Sequence, residues 1–155
     1  MRDRYLCKAK ILNHDSWIQG SYIQHKETTY AFSEDYESHP VPVHHLIMQD
    51  EMTDWGLPNQ IRGYEVDPST LCQCTGLTDR NGNLIWENDL VAFEDTTSTE
   101  NGCWEQNCVG KVVWDDETAS FQVTGRLSAE SYEVLHDCAV IGSALDKATQ
   151  DGGGS

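Results

Sequence analysis

Six cysteines give this chain its most obvious candidates for metal or thiol chemistry. Paired thiolates bind zinc most readily in a C-x2-C run, where the backbone wraps around one ion. The pairs Cys72-x-Cys74 and Cys103-x4-Cys108 lack that spacing, and we expect the two thiols of a C-x-C run to point to opposite faces of a strand. We therefore predict that the thiols are free and that the chain holds no metal and no cofactor.

Side chains that could act in nucleophilic catalysis are sparse. Cys138 lies two residues after His136, but a nucleophile also needs a group that orients its base, and the sequence identifies none. The adjacent His44 and His45 would point to opposite faces of a strand, so they do not chelate one ion together. A phosphate-binding glycine loop is also missing, and we predict no catalytic residues and no enzyme activity.

Acidic residues dominate the charge of the chain. It has 26 Asp and Glu against 10 Lys and Arg, a formal net charge of -16 and a pI near 4.4. Affinity for nucleic acid comes largely from Lys and Arg that neutralise phosphates, so we predict no direct nucleic-acid binding. The same charge favours fast association with a basic protein, and acidity that serves solubility alone is the alternative.

The hydropathy and the ends of the chain predict its cellular location. No apolar stretch approaches the ~20 residues that span a bilayer, and the opening Met-Arg-Asp-Arg lacks the apolar core of a signal peptide. We expect a soluble, cytosolic protein with no membrane partner, in which thiols stay reduced. The length of 155 residues is typical of one domain, and residues 147–155 have the composition of a flexible tail or a linker scar.

Alternating apolar runs and turn residues predict a mainly β fold. The strongest hairpin signal is Asn81-Gly82, since both residue types accept positive φ at little cost. A polar stretch at 94–102 is interpreted as a long loop in which Glu94 and Asp95 are solvated charges, and any helix should be short, with 128–131 as its position. The β-prone runs predict strands at 4–12, 17–24, 28–33, 43–48, 84–93, 109–114, 120–124 and 138–142, of which the first two form a hairpin with its turn at 13–16.

A longer motif surrounds that hairpin. From Val66 to Val91 the chain reads V-D-P-S-T-L-C-Q-C-T-G-L-T-D-R-N-G-N-L-I-W-E-N-D-L-V. Together with Trp17-x-x-Gly20 and the closing Val140-Ile141-Gly142, this run resembles the YopX-like proteins of phages and prophages. The resemblance implies a fold and a phage context, but no settled activity. The strand order after the motif is similar to that of a small five-stranded barrel.

These patterns divide the chain into three parts. We predict an N-terminal β region with long, variable acidic loops at 1–65, the YopX-like core motif with a small five-stranded barrel-like unit at 66–146, and the tail at 147–155. Asn88 stands where the family usually has Gly, and we expect its turn to survive because Asn tolerates the left-handed region. Architectural roles are predicted for Thr75, Gly76, Asp79, Asn81, Gly82, Trp86 and Asp89.

The phage context and the charge together predict a function in protein binding. We expect an acidic phage protein in the host bacterial cytoplasm that inhibits or sequesters a basic host protein, such as a defence nuclease, by DNA mimicry. The alternative is a structural or assembly module of a phage complex, and a homo-oligomer stays open. Trp55 is either an apolar anchor for the partner or a core residue. The predicted contact residues are Glu34, Asp35, Glu37, Asp50, Glu51, Asp54, Trp55, Asp115, Asp116 and Glu117.

Overall fold

The computed structural model describes residues 2–146, so the predicted tail at 147–155 lies outside the described residues. Antiparallel strands make up most of the regular structure, and the two α-helices in the described part of the chain have six residues each. The prediction of a mainly β fold is confirmed. No helix among residues 2–146 is long and apolar enough to cross a membrane.

Ten strands and two α-helices follow one another in the described chain. The first elements are β1 (Cys7–Lys10), β2 (Trp17–Lys26), α1 (Ser33–Ser38), β3 (Val43–Glu51) and β4 (Gln60–Glu65). They are followed by β5 (Cys72–Thr78), β6 (Leu84–Trp86), β7 (Asp89–Thr99), β8 (Gly102–Asp115), β9 (Ser120–Val123), α2 (Ser131–His136) and β10 (Ala139–Ser143).

The chain folds as two compact units. The first unit is Tyr5–Cys72, and the second is residues 73–146 together with the chain up to Arg4. The division after residue 65 that the sequence suggests follows the start of the motif, and it stays a prediction.

The first unit is an antiparallel sheet in the order β4-β3-β2-β1. The predicted hairpin of β1 and β2 is confirmed, with Ala9 opposite Ile18. Gly20 of the W-x-x-G run is part of β2 and lies so close to β3 that a Cβ there would meet the Met48 carbonyl oxygen at 2.3 Å, which explains why glycine is needed. Ala9 packs with Ile47 in the core, and both are fully buried.

The predicted strand at 28–33 is wrong. Residues 28–32 pair with no strand, and α1 begins at Ser33. The Tyr30 N–H donates to the Tyr36 hydroxyl at 2.9 Å, and the two rings pack edge to face with centroids 5.1 Å apart. Because the hydroxyl satisfies a backbone donor that a strand would use in a ladder, this aromatic run closes onto α1 instead.

The second unit contains the β5–β6 hairpin and an antiparallel sheet in the order β10-β7-β8-β9. The predicted strands in this unit are confirmed in position, with a turn at Glu87-Asn88 that separates β6 from β7. Residues 2–146 form no closed barrel, so the barrel-like part of the prediction is not confirmed. The buried core consists of Ile85, Val91, Phe93, Val112, Val123, Val134, Leu135 and Cys138.

The hairpin of β7 and β8 is longer than the sequence indicates. Its pairs run from Leu90 opposite Lys111 to Thr99 opposite Gly102. The interpretation of 94–102 as a loop is therefore wrong for most of that stretch. Threonine is β-branched and favours extended backbone even when it is polar, so a Thr-rich run continues the strand.

Helix α2 covers one side of the second unit's core. Glu130 and Glu133 form a capping box at its start, in which the Glu130 N–H donates to the Glu133 carboxylate at 2.9 Å. Val134 and Leu135 are buried in the core. A short helix is present, but it begins at Ser131, so only the last residue of the predicted position 128–131 is helical.

Candidate protein-binding site

A tryptophan projects from the loop between β3 and β4. Trp55 is 89% exposed, so it is not a core residue. Its backbone N–H donates to the Asp54 carboxylate at 2.7 Å, and the backbone N–H of Leu57 donates to the Asp54 carbonyl at 3.2 Å. Gly56 completes this turn with φ of 76°, a conformation that glycine adopts without strain. The turn therefore holds the backbone of Trp55 in place while its indole faces solvent.

Further apolar side chains are exposed beside the tryptophan. Met52 is 71% exposed, Leu57 is 59% exposed, and Ile61 at the start of β4 is 75% exposed. Single exposed apolar residues are ordinary on protein surfaces, but a group of four within one loop and its adjoining strand is typical of interaction sites.

Polar side chains within the loop fix its shape. The Thr53 hydroxyl donates to the Pro58 carbonyl at 2.8 Å, and the Asn59 amide donates to the Asp50 carboxylate at 3.1 Å. A loop that is already ordered loses less conformational entropy when it binds a partner. The internal bonds therefore favour recognition by this loop.

The acidic residues of the loop and of the adjoining end of β3 differ in how far their charge is accessible to a partner. Asp50 and Asp54 are exposed, whereas Glu51 is half-buried. Glu51 accepts a short hydrogen bond from the Tyr64 hydroxyl, and its other oxygen lies 3.6 Å from the Arg62 guanidinium. The hydrogen bond to Glu51 raises the pKa of the Tyr64 hydroxyl. Asp50 and Asp54 therefore offer charge to a partner more readily than Glu51 does.

A second group of predicted contact residues lies on α1, in the same unit as the loop. Glu34, Asp35 and Glu37 are all exposed. Glu34 and Asp35 occupy the first turn, where negative charge interacts favourably with the helix dipole. These carboxylates therefore have a local role in the helix as well as contributing surface charge.

The third predicted group belongs to the second unit. Asp115 accepts hydrogen bonds from the Glu117 N–H at 3.1 Å and the Thr118 hydroxyl at 2.7 Å, and Asp116 accepts one from the Trp114 indole N–H at 2.9 Å. These bonds close the turn between β8 and β9. The sequence thus predicted one contact set from residues that lie in two different units.

His44 lies between two carboxylates on the first unit's sheet. Its Nδ1 is 2.7 Å from the Glu65 carboxylate, and its Nε2 is 2.7 Å from the Glu27 carboxylate. The hydrogen bond to Glu65 and then that to Glu27 raise the pKa of His44. The neighbouring His45 contacts Tyr22 instead, with its Nδ1 2.5 Å from the Tyr22 hydroxyl, so the two histidines have separate surroundings.

In the central motif, Asp79 joins the β5–β6 turn to β10. Its carboxylate accepts the N–H groups of Asn81 at 2.9 Å, Asn83 at 2.8 Å and Val140 at 2.8 Å. Burial alone would raise the pKa of Asp79, but these N–H donors, with Val140 contributing most, bring it below its ordinary value. The arrangement stabilises a charged carboxylate that holds two parts of the backbone together.

Other motif residues also make structural contacts. The Trp86 N–H donates to the Asp89 carboxylate at 2.8 Å, and both side chains are buried. Gly82 has φ of 83° and Asn88 has φ of 68°, which confirms that Asn maintains the turn at the position where Gly was expected. Such bonds and backbone angles are what the predicted architectural roles require.

Asp95 is a buried carboxylate whose importance the sequence interpretation missed. It was grouped with Glu94 as solvated loop charge, but Asp95 is 3% exposed whereas Glu94 faces solvent. It accepts N–H groups from Leu127 at 2.5 Å and Ala129 at 3.0 Å, among other donors of the same segment. Burial would raise the pKa of Asp95, but these backbone donors lower it to about 2. Its alternation with Val91 and Phe93 is the sequence signal that places it on the inner face.

All six cysteines are described as thiols. Cys72 and Cys74 are both buried, whereas Gln73 between them is exposed. The two cysteines therefore share one face of β5, and the expectation that they point to opposite faces is wrong. Residues i and i+2 of a strand share a face, which is the physical reason. Burial raises the pKa of Cys138. Among residues 2–146, no group of three or more His, Cys, Asp or Glu is placed to hold a metal ion, and the absence of a metal stays a prediction that elemental analysis can test.

Comparison with known proteins identifies one relationship. A family model described as YopX protein matches residues 7–147 of the chain. No curated protein and no solved structure matches it. The matched region includes the central motif and nearly all of both units.

Proposed function

This chain belongs to the YopX family, and we propose that it is an acidic phage protein that binds and inhibits a basic, nucleic-acid-handling host protein with a role in defence. The observation that carries the proposal is the loop between β3 and β4, which presents an 89% exposed Trp55 beside exposed carboxylates. The partner contact would consist of an apolar pocket for the indole, surrounded by Lys and Arg.

The apolar part of this contact would supply most of the affinity. Tryptophan is enriched among the residues that dominate interface energetics, and truncating such a residue typically costs about 2 kcal/mol or more of binding free energy. Met52 and Leu57, both exposed, add apolar area around it. Because the turn is closed by its own hydrogen bonds, little of that energy is lost in ordering the loop.

The charge of the surrounding chain selects a basic partner. From Glu27 to Asp67 the sequence has nine carboxylates, and Arg62 is its one Lys or Arg. Complementary charge accelerates association and discriminates against acidic partners. A basic groove that accommodates the phosphates of DNA would also accept such a surface, so inhibition by DNA mimicry is part of the proposal.

The test is affinity capture from defence-proficient host cells with the tagged chain, followed by binding and nuclease assays on the purified partner. We expect capture of a basic nucleic-acid-handling protein, inhibition of its activity, and competition between the chain and a DNA duplex for it. Binding should weaken steeply above about 0.15 M salt, where the Debye length is ~8 Å. The triple change Asp50→Lys, Glu51→Lys and Asp54→Lys should slow association and release the partner from inhibition.

Trp55→Ala provides the sharper comparison, with Trp104→Ala as its matched control. Trp104 is 50% exposed but lies on β8, in the other unit. Only the first substitution should raise the dissociation rate of the captured partner. Equal effects of the two substitutions, or binding that is indifferent to salt, would refute the proposal. A stable homo-oligomer that captures no basic protein would favour the assembly-module alternative instead.

A further inference from the structure

Strand β4 forms the outer edge of the first unit's sheet. The strand order begins with β4, and within residues 2–146 β3 is the one strand that pairs along its length. An unpaired edge presents backbone N–H and C=O groups that can pair with another strand. Natural edges are often protected by Pro, Lys or a bulge, and the sequence of β4, Gln-Ile-Arg-Gly-Tyr-Glu, has neither Pro nor Lys.

The register between β3 and β4 identifies which groups point outward. The Val66 N–H donates to the His45 carbonyl at 2.9 Å, so Val66 and His45 form a hydrogen-bonded pair. Such pairs alternate with non-bonded pairs along an antiparallel ladder. Counting back along the observed register, Tyr64 and Arg62 bond towards β3, whereas Ile61 and Gly63 direct their N–H and C=O groups away from it.

The two ends of this outer edge differ. The Leu12 N–H donates to the Glu65 carbonyl at 2.9 Å, so the last outward-facing carbonyl of β4 already has a partner. Within residues 2–146, no hydrogen bond is made by the outward backbone groups of Ile61 and Gly63. The open part of the edge therefore lies at the beginning of β4, next to the Trp55 loop.

We propose that the partner adds an extended, lysine-bearing segment to this open edge as an extra β-strand, while Trp55 enters its pocket. This inference rests on the proposed function, since it specifies how the partner recognised there is bound. Strand addition is a known mode of recognition in which backbone bonds provide affinity and alternate side chains provide specificity.

Charge decides between a basic segment and a second copy of this chain. Ile61 lies opposite Asp50, and Glu65 lies on the same face of β4 as Ile61. A strand added beside β4 would place every second side chain on this face, with the Glu65 carboxylate on the neighbouring strand and the Asp50 carboxylate one strand further in, which suits the long side chain of Lys at alternate positions. A second copy carries the same formal net charge of -16, so two of these edges would approach each other against the repulsion of like charges.

The probe is a short fluorescent peptide in which Lys alternates with Val and Thr, compared with a peptide of the same composition whose Lys residues form one block. We expect the alternating peptide to bind more tightly by fluorescence anisotropy. In amide hydrogen exchange it should protect the Ile61 and Gly63 N–H groups and leave those of Arg62 and Tyr64 unchanged. If neither outer amide gains protection, the inference is wrong.

Ile61→Pro removes one outward N–H, and Ile61→Thr is the matched control that keeps it. Proline is tolerated at edge positions whose N–H faces solvent, and unchanged thermal unfolding would verify the fold. We expect the proline variant to bind the alternating peptide about tenfold more weakly than the threonine variant. Equal affinity of the two variants, or protection of the outer amides by self-association of the chain alone, would overturn the inference. The partner-capture assay with Trp55→Ala tests the proposed function separately.

Discussion

Gly82 has a backbone conformation that other residues rarely adopt. Its φ is 83°, and a Cβ placed there would meet no atom within 4 Å. A substitution at this position therefore tests backbone strain without a steric clash. The neighbouring Asn81 is not among the residues with positive φ, so the Asn-Gly pair uses the left-handed region once, not twice as the commonest two-residue hairpin does.

We expect Gly82→Val to lower the free energy of unfolding by roughly 1–3 kcal/mol, because a β-branched side chain is strained at positive φ. Gly82→Asn should cost less, since Asn tolerates this region. Urea denaturation of the two variants and the wild type provides the measurement. Full stability with loss of a binding activity would instead assign Gly82 a functional role.

Asp95 predicts a dependence of stability on pH. Its folded-state pKa of about 2 lies below the ordinary value of 3.8. A group whose pKa falls on folding stabilises the protein above its unfolded pKa, and the contribution is lost as pH decreases through the folded value. We expect Asp95→Asn to destabilise the chain at neutral pH and to flatten the acid side of its stability curve between about pH 4 and pH 2.

Glu94→Gln is the matched control for this prediction, because Glu94 is the adjacent, solvent-facing carboxylate. It should leave both the stability at neutral pH and the acid transition nearly unchanged. Chemical denaturation at a series of pH values distinguishes the two variants. Identical curves for both would mean that the bonds of Asp95 to the 127–129 segment do not contribute to stability.

At the level of elements, His44 on β3 connects the residue that follows β2 with the end of β4. Protonation strengthens its bonds to Glu27 and Glu65, which is why the pKa of His44 is raised. A group whose pKa rises on folding contributes stability that is fully present below its unfolded value of about 6.5. That contribution is lost as pH increases through the higher folded value.

We therefore expect stability to decline as pH rises above about 6.5, and His44→Gln to remove this part of the decline. His14→Gln is a suitable control, since His14 is exposed in the connection between β1 and β2. Denaturation at several pH values and the titration of the His44 ring protons by NMR measure the effect. A His44 pKa at or below 6.5 would contradict the prediction.

Some elements were predictable from sequence because their signals are local. Turn residues marked the β1–β2 hairpin, and an apolar run marked β3. The strand predicted at 28–33 was wrong because Tyr30 bonds to Tyr36, a contact that local β propensity does not reveal. Strand β7 extends past its predicted end at residue 93, because the polar composition of 94–99 indicates a loop, whereas the Thr residues and the buried position of Asp95 continue the strand.

The candidate site was also only partly predictable from the sequence. The exposure of Trp55 could not be predicted from the sequence, because a tryptophan in a variable loop fits the core and the surface equally well. Asp115 and Asp116 were chosen for their charge, but their carboxylates close a local turn. Side-chain charge is visible in a sequence, whereas the donors that occupy a carboxylate depend on the folded chain.

For the whole molecule, the net charge of -16 implies self-repulsion in the compact state. We expect the thermal midpoint of unfolding to rise when NaCl is increased from about 10 mM to about 150 mM, because screening weakens repulsion between exposed carboxylates. The triple Lys variant of Asp50, Glu51 and Asp54 should show a smaller rise. Differential scanning calorimetry measures both, and a midpoint independent of salt would contradict this expectation.

The bond from Val140 to Asp79 has a consequence for the order in which the protein is completed during synthesis. The two residues are 61 positions apart, and the β5–β6 turn receives this donor only from β10. A ribosome releases the motif long before it releases the strand that completes its bonds. A chain that is cut before β10 keeps the whole motif in its sequence, but it leaves the Asp79 carboxylate without its Val140 donor.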